Sequence, residues 1–171
     1  MRKASKKIFF ILSIMVVFFT FQIISTYKYL SSIRFMLKDN FSIDIPKPKR
    51  EIKVLSDINA IPLDGKAYSV LEYDETSARK LTDFNEWKKV DKDSQNEVNK
   101  FVDQLKKYQA ADGAKKAMLN QYKPRLQDKS LYYFKPKKND YVILLYNEDE
   151  KRIYVMEHID RVAKYSVSYK K

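Results

Sequence analysis

Hydrophobic and polar positions divide this chain into an N-terminal run with no alternation and a longer remainder with helical or strand periods. The run Ile8–Tyr27 (IFFILSIMVVFFTFQIISTY) holds 20 uncharged residues between Lys7 and Lys28. As a helix rising roughly 1.5 Å per residue it covers about 30 Å, the thickness of a bilayer's hydrocarbon core. It has no polar face, which sets it apart from a buried amphipathic helix. It is also longer than the apolar region of a cleaved signal peptide, and its end (Ile24, Ser25, Thr26, Tyr27) lacks a small-x-small site. The pattern predicts a retained signal anchor over 8–27, with Tyr27 and Tyr29 at the membrane–water interface.

Residues 28–50 read as a stalk. Leu30, Ile33 and Leu37 recur at helical spacing, and Ile45-Pro46-Lys47-Pro48 stops any helix, because proline lacks an N–H and restricts the residue before it. The domain is expected over 51–171. Glu51–Leu55 and Lys66–Tyr73 are β-like, with Asp64-Gly65 as a turn before the second. Thr76–Lys89 is expected to be a short helix with Leu81, Phe84 and Trp87 inward. Ser94-Gln95-Asn96-Glu97 has the form of a capping box. Val98, Phe101, Val102, Leu105 and Tyr108 follow it as one apolar stripe. Asp112-Gly113 breaks that helix; a second is expected with Ala114, Ala117, Met118 and Tyr122 on one face, ended by Pro124.

The last third reads as strands: Leu131–Lys135, Tyr141–Asn147 and Arg152–Ile159, joined by the polar links PKKND and EDEK, with alternation again over Tyr165–Tyr169. YVILLY has no polar position, so it is expected at the centre of the sheet, covered on both faces. The fold class that follows is α+β: an N-terminal transmembrane helix, then a small domain with an antiparallel sheet and two or three helices packed on one face.

Charge sets the orientation. Residues 1–7 form a basic tail with Arg2, Lys3, Lys6, Lys7 and no acidic residue, which points the N-terminus to the cytoplasm and the domain outside. From Lys28 onward 30 Lys and Arg stand against 22 Asp and Glu, a mixed surface with a basic bias that favours anionic partners. The chain has no cysteine, so disulfides, thiolate metal sites, a cysteine nucleophile and a lipid-modified N-terminal cysteine are excluded. Two glycines, against about a dozen at average usage, leave little room for a phosphate-cradling loop or a nucleophile elbow.

Candidate chemistry is sparse. His158, the single histidine, follows the strand IYVME and reads as structural. Asp91, Asp93 and Glu97 begin like a calcium loop, but Asn96 stands where that loop needs glycine and Val102 where it needs a bidentate glutamate. No metal and no cofactor are expected. The one constellation with binding character is Tyr132, Lys135, Lys137 and Lys138 within YYFKPKK, where aromatics beside ammonium groups can stack on bases or sugars and meet phosphates. These features lead to a membrane-anchored extracytoplasmic binding or interaction module, without catalytic activity, of the build of bacterial immunity, exclusion or envelope-complex accessory proteins. Its partner is expected to be another envelope protein or an anionic envelope component. The alternatives are a small envelope hydrolase using carboxylates or, with inverted topology, a nucleic-acid-binding domain tethered inside the cell.

Overall fold

The computed structural model describes residues 2–56, 64–106 and 113–160. Two compact units divide the chain between Asp44 and Ile45, six residues before the expected domain boundary.

The first unit is helical. Helix α1 (Arg2–Leu30) carries the apolar run, and Leu12–Leu30 is long and apolar enough to cross a membrane. The stalk's helical spacing belongs to a separate helix, α2 (Ile33–Phe41). Ser32 Oγ caps α2 by accepting the Phe35 N–H at 3.1 Å. Its other end closes on Ser42, at φ 58°, whose N–H and that of Ile43 return to the carbonyls of Lys38 and Leu37. Ile33, Leu37 and Phe41 form one buried stripe, and Ile43 and Ile45 are buried after it. Residues 33–45 are therefore folded rather than a bare spacer.

The second unit is built on a six-stranded antiparallel sheet in the order β1-β2-β6-β5-β4-β3. The strands are β1 (Arg50–Ser56), β2 (Asp64–Glu72), β3 (Lys88–Lys89), β4 (Leu131–Lys137), β5 (Asp140–Asn147) and β6 (Arg152–Asp160). The all-apolar strand β5 lies between β6 and β4, and Val142–Tyr146 is buried throughout. This is the α+β architecture expected. One face carries Ile52, Tyr68, Val70, Tyr132, Ile143, Leu145, Tyr154 and Met156. That face packs against Val98, Phe101 and Leu105 of α4 (Lys92–Lys106) and Leu119 of α5 (Gly113–Gln121), with Tyr122 just beyond α5. A bulge between Lys53 and Leu55 turns both Val54 and Leu55 into this core. The other face presents Leu71, Val142, Leu144, Tyr146, Ile153 and Val155, all buried.

Several local expectations are corrected. Helix α3 spans only Glu75–Thr82. Beyond it Phe84 and Trp87 return by turns, the Trp87 indole N–H donates to the Leu81 carbonyl at 2.8 Å, and its ring stacks on Tyr146. The three-residue spacing of Leu81, Phe84 and Trp87 reflected that folded-back segment, not a helix face. Asp64-Gly65 is the start of β2 and not a turn, with Gly65 at φ 134°, a conformation that a side chain would strain. On α5 the buried residue is Leu119, with Tyr122 following, while Ala114 and Ala117 are exposed. PKKND is largely strand: Pro136 pairs with Tyr141 and Lys137 with Asp140, leaving Lys138 and Asn139 as the turn. Proline is tolerated there because β3 pairs only with Leu131 and Tyr132, so Pro136 stands on an open edge. The alternation over Tyr165–Tyr169 and Tyr108 lie outside the described residues.

The capping box also sits one turn earlier than expected. Asp91 Oδ1 accepts the Ser94 N–H and Ser94 Oγ accepts the Asp91 N–H, both at 2.8 Å. The calcium-like residues thus cap a helix, and among the described residues no His/Cys/Asp/Glu cluster could hold a metal. Ser94 is buried, so Ser94→Ala should destabilise the domain by about 1 kcal/mol, whereas Gln95→Ala should be neutral, as chemical denaturation will show. Hydrogen bonds from the helix starts, first the backbone N–H of Ser94 and of Ser77, hold the carboxyls of Asp91 and of Asp74, the N-cap of α3, below the usual carboxylate range. Depressed carboxyls contribute stability above their unfolded values and lose it as pH falls through the folded ones. Both caps are intact at neutral pH and are lost in acid.

Candidate functional site

Strand alternation decides which of the expected binding residues can act together. Tyr132 lies on the helix-covered face, only 7% exposed, and its hydroxyl donates to Glu97 of α4. Burial first, and then that bond to a carboxylate, raise the Tyr132 hydroxyl well above the ordinary tyrosine value. Its ring is core, not a stacking platform. Lys135 and Lys137 alternate onto the opposite face, and Lys138 occupies the turn at φ 60°. The four residues are close along the chain but do not form one surface.

The same register assembles another group, which the sequence pattern does not join. Lys66 of β2 is opposite His158 of β6, His158 is opposite Tyr141 of β5, and Tyr141 is opposite Pro136 of β4. With Phe134, two positions back on β4, these residues continue the helix-covered face toward the hairpin tip and are half-buried or exposed. The rings run in sequence: Phe134 to Tyr141 at 5.7 Å and Tyr141 to His158 at 5.0 Å. Lys66 Nζ then meets His158 Nδ1 at 3.3 Å. Phe134 is 38% exposed, an uncommon position for a large apolar side chain in this unit. Burial, and after it the Lys66 charge, hold the His158 imidazole below its ordinary value, opposed by Asp160 and Asp140. A neutral imidazole accepting from an ammonium suits that balance.

A depression of about 500 Å³ lies where the opposite ends of β1, β2 and β6 meet, lined by Lys49, Arg50, Glu72, Tyr73, Glu150 and Arg152. It holds two convergent carboxylates, the feature a hydrolase would need. Both are engaged: Glu72 Oε1 takes two bonds from Arg152, at 2.8 and 3.1 Å. Glu150 accepts the Tyr154 hydroxyl and lies 3.5 Å from Arg125 and 3.6 Å from Arg152. Arg152 also lies over the Tyr122 ring. This lattice ties the β5–β6 turn to the sheet and α5. Buried Asn147 completes it, accepting the Glu150 N–H at 3.1 Å.

No family model matches the chain, no curated protein matches it, and no solved structure matches its fold.

Proposed function

We propose that this chain is a single-pass membrane protein, its N-terminus cytoplasmic, whose outer α+β domain is a non-catalytic binding module for an anionic envelope component bearing phosphodiester groups. The anchor reading is supported by the one described helix long and apolar enough to cross a membrane. The observation that carries the binding reading is the row Phe134–Tyr141–His158–Lys66: flat ring faces ending in an ammonium group, on a sheet end beyond the helices. Ring faces take the C–H side of a polyol or sugar, or a base, while ammonium groups meet phosphate. The acidic pair in the depression favours binding over hydrolysis, because both carboxylates serve arginines rather than facing open space.

The test uses the full chain in phosphatidylcholine nanodiscs and poly(glycerol phosphate) as probe. Phe134→Ser combined with Lys66→Gln should weaken binding about tenfold or more, in line with the loss of a stacking contact and a phosphate contact. Lys137→Glu with Lys138→Glu should leave the melting temperature unchanged, since both side chains are exposed. That pair should weaken binding at low salt and much less at high salt, as expected of steering charges. Absence of binding, or a Phe134→Ser/Lys66→Gln protein that binds like wild type, overturns the reading.

A further inference from the structure

Resting on that binding reading, we propose that Lys66 and His158 are the seat of a single phosphodiester group, and that seating it draws a proton onto His158. The two side chains come from strands β2 and β6, 92 positions apart in the chain, and their nitrogens meet at 3.3 Å. With the imidazole neutral, Nδ1 accepts a hydrogen bond from the ammonium. Once Nδ1 is protonated it becomes a donor, and that acceptor for Lys66 is gone. Two N–H donors of like charge then converge on one space, and an anionic oxygen between them satisfies both through charge-assisted bonds.

The surroundings fit such a seat. Lys66 from β2 and burial disfavour the imidazolium, whereas Asp160 of β6, Asp140 of β5 and a hydrogen bond at the Gly65 backbone favour it. The Tyr141 hydroxyl is raised above its ordinary value by burial and then by Glu97 of α4, so it stays neutral. Asp140 already accepts the Asp160 N–H at 2.8 Å, which commits one of its oxygens to bracing the strand ends. A phosphodiester suits the seat because it keeps one negative charge across the imidazole range and presents two free oxygens. The polyol or sugar on either side of it would lie along Tyr141 and Phe134.

Proton uptake on binding requires affinity to rise as pH falls. Each pKa unit by which the bound phosphodiester raises His158 is about a tenfold gain in affinity at low pH. With the full chain in phosphatidylcholine nanodiscs, binding of poly(glycerol phosphate) is measured at about pH 7.5 and about pH 5.5, a window above the carboxylate range where the helix caps are intact. Wild type should bind about three- to tenfold tighter at the lower pH, and in His158→Gln the ratio of the two affinities should fall to about one. The His158 ring resonance should titrate at higher pH when the polymer is present. Replacing part of the phosphatidylcholine with phosphatidylglycerol tests the same chemistry from a lipid source: competition with the polymer assigns the seat to headgroups as well, and its absence restricts it to the polymer. Binding that is lost in Phe134→Ser but independent of pH would leave the module standing and remove the His158 seat. A pH dependence that persists in His158→Gln would overturn it equally. No binding at either pH removes both.

Discussion

Leu144→Asp should abolish the cooperative fold of the second unit. Leu144 is 0% exposed and lies at the centre of β5, paired with Val155 of β6 and Tyr133 of β4. A carboxylate there leaves water with no charge partner provided, and the expected cost is several kcal/mol against a typical domain stability of ~5–15 kcal/mol. Trp87 is the only tryptophan and stacks on Tyr146, which shares the Leu144 face of β5, so its fluorescence reports on this region directly. Urea titration of the full chain in a neutral detergent should show a single sigmoidal transition for wild type and none for Leu144→Asp. Leu144→Met, which keeps volume and apolarity, should lose less than about 1.5 kcal/mol. A Leu144→Asp protein with a wild-type midpoint would mean that β5 does not hold the centre of the sheet.

The parts of this fold legible in the sequence are those in which one segment's own pattern dictates its environment. Ile8–Tyr27 has no polar face, Val142–Tyr146 has no polar position, and Val98, Phe101 and Leu105 form a single stripe. Each needs an apolar surrounding whatever the topology, and the helices and strands fall accordingly. Errors arose where two local signals competed. Asp91 and Ser94 cap each other, so the cap lies one turn before the Ser94…Glu97 spacing that resembles it, and Glu97 is left to receive Tyr132. Pro136 looked like a loop residue because the open edge of β4 is invisible before the strand order is known.

The binding surface was illegible for a deeper reason. YYFKPKK suggested a site because its aromatics and lysines are adjacent in sequence, yet a strand sends adjacent residues to opposite faces. Tyr132 went to the core, and Lys135 and Lys137 to the other side. Phe134, Tyr141, His158 and Lys66 belong to four strands, and their meeting depends on the order β2-β6-β5-β4 and its register. His158 was read as an ordinary strand-end histidine because nothing near it in the chain indicates Lys66. Only its position in a strand facing the helix-covered side could have been guessed.

Topology decides which phosphodiester carrier this surface can meet, and the expected result is all or none. Four basic residues precede the apolar run with no acidic residue among them, whereas Lys28, Arg34 and Lys38 are spread over the following stretch. Positive charge next to a span resists translocation during insertion, so the denser N-terminal cluster should remain in the cytoplasm and the domain should cross. The chain has no cysteine, and Lys116 on α5 is exposed, so Lys116→Cys supplies one accessible thiol with no background. In bacterial cells whose outer layers are made permeable while the inner bilayer is intact, a membrane-impermeant maleimide should label it completely, and lysis should add nothing. A cysteine at Ser5, in the N-terminal tail, should behave in the opposite way and react only after the bilayer is broken. If instead Lys116→Cys is silent until lysis, the domain is cytoplasmic. The rings of Phe134 and Tyr141 beside Lys66 would then face nucleic acid, and single-stranded oligonucleotides would replace poly(glycerol phosphate) as the probe to test against Phe134→Ser.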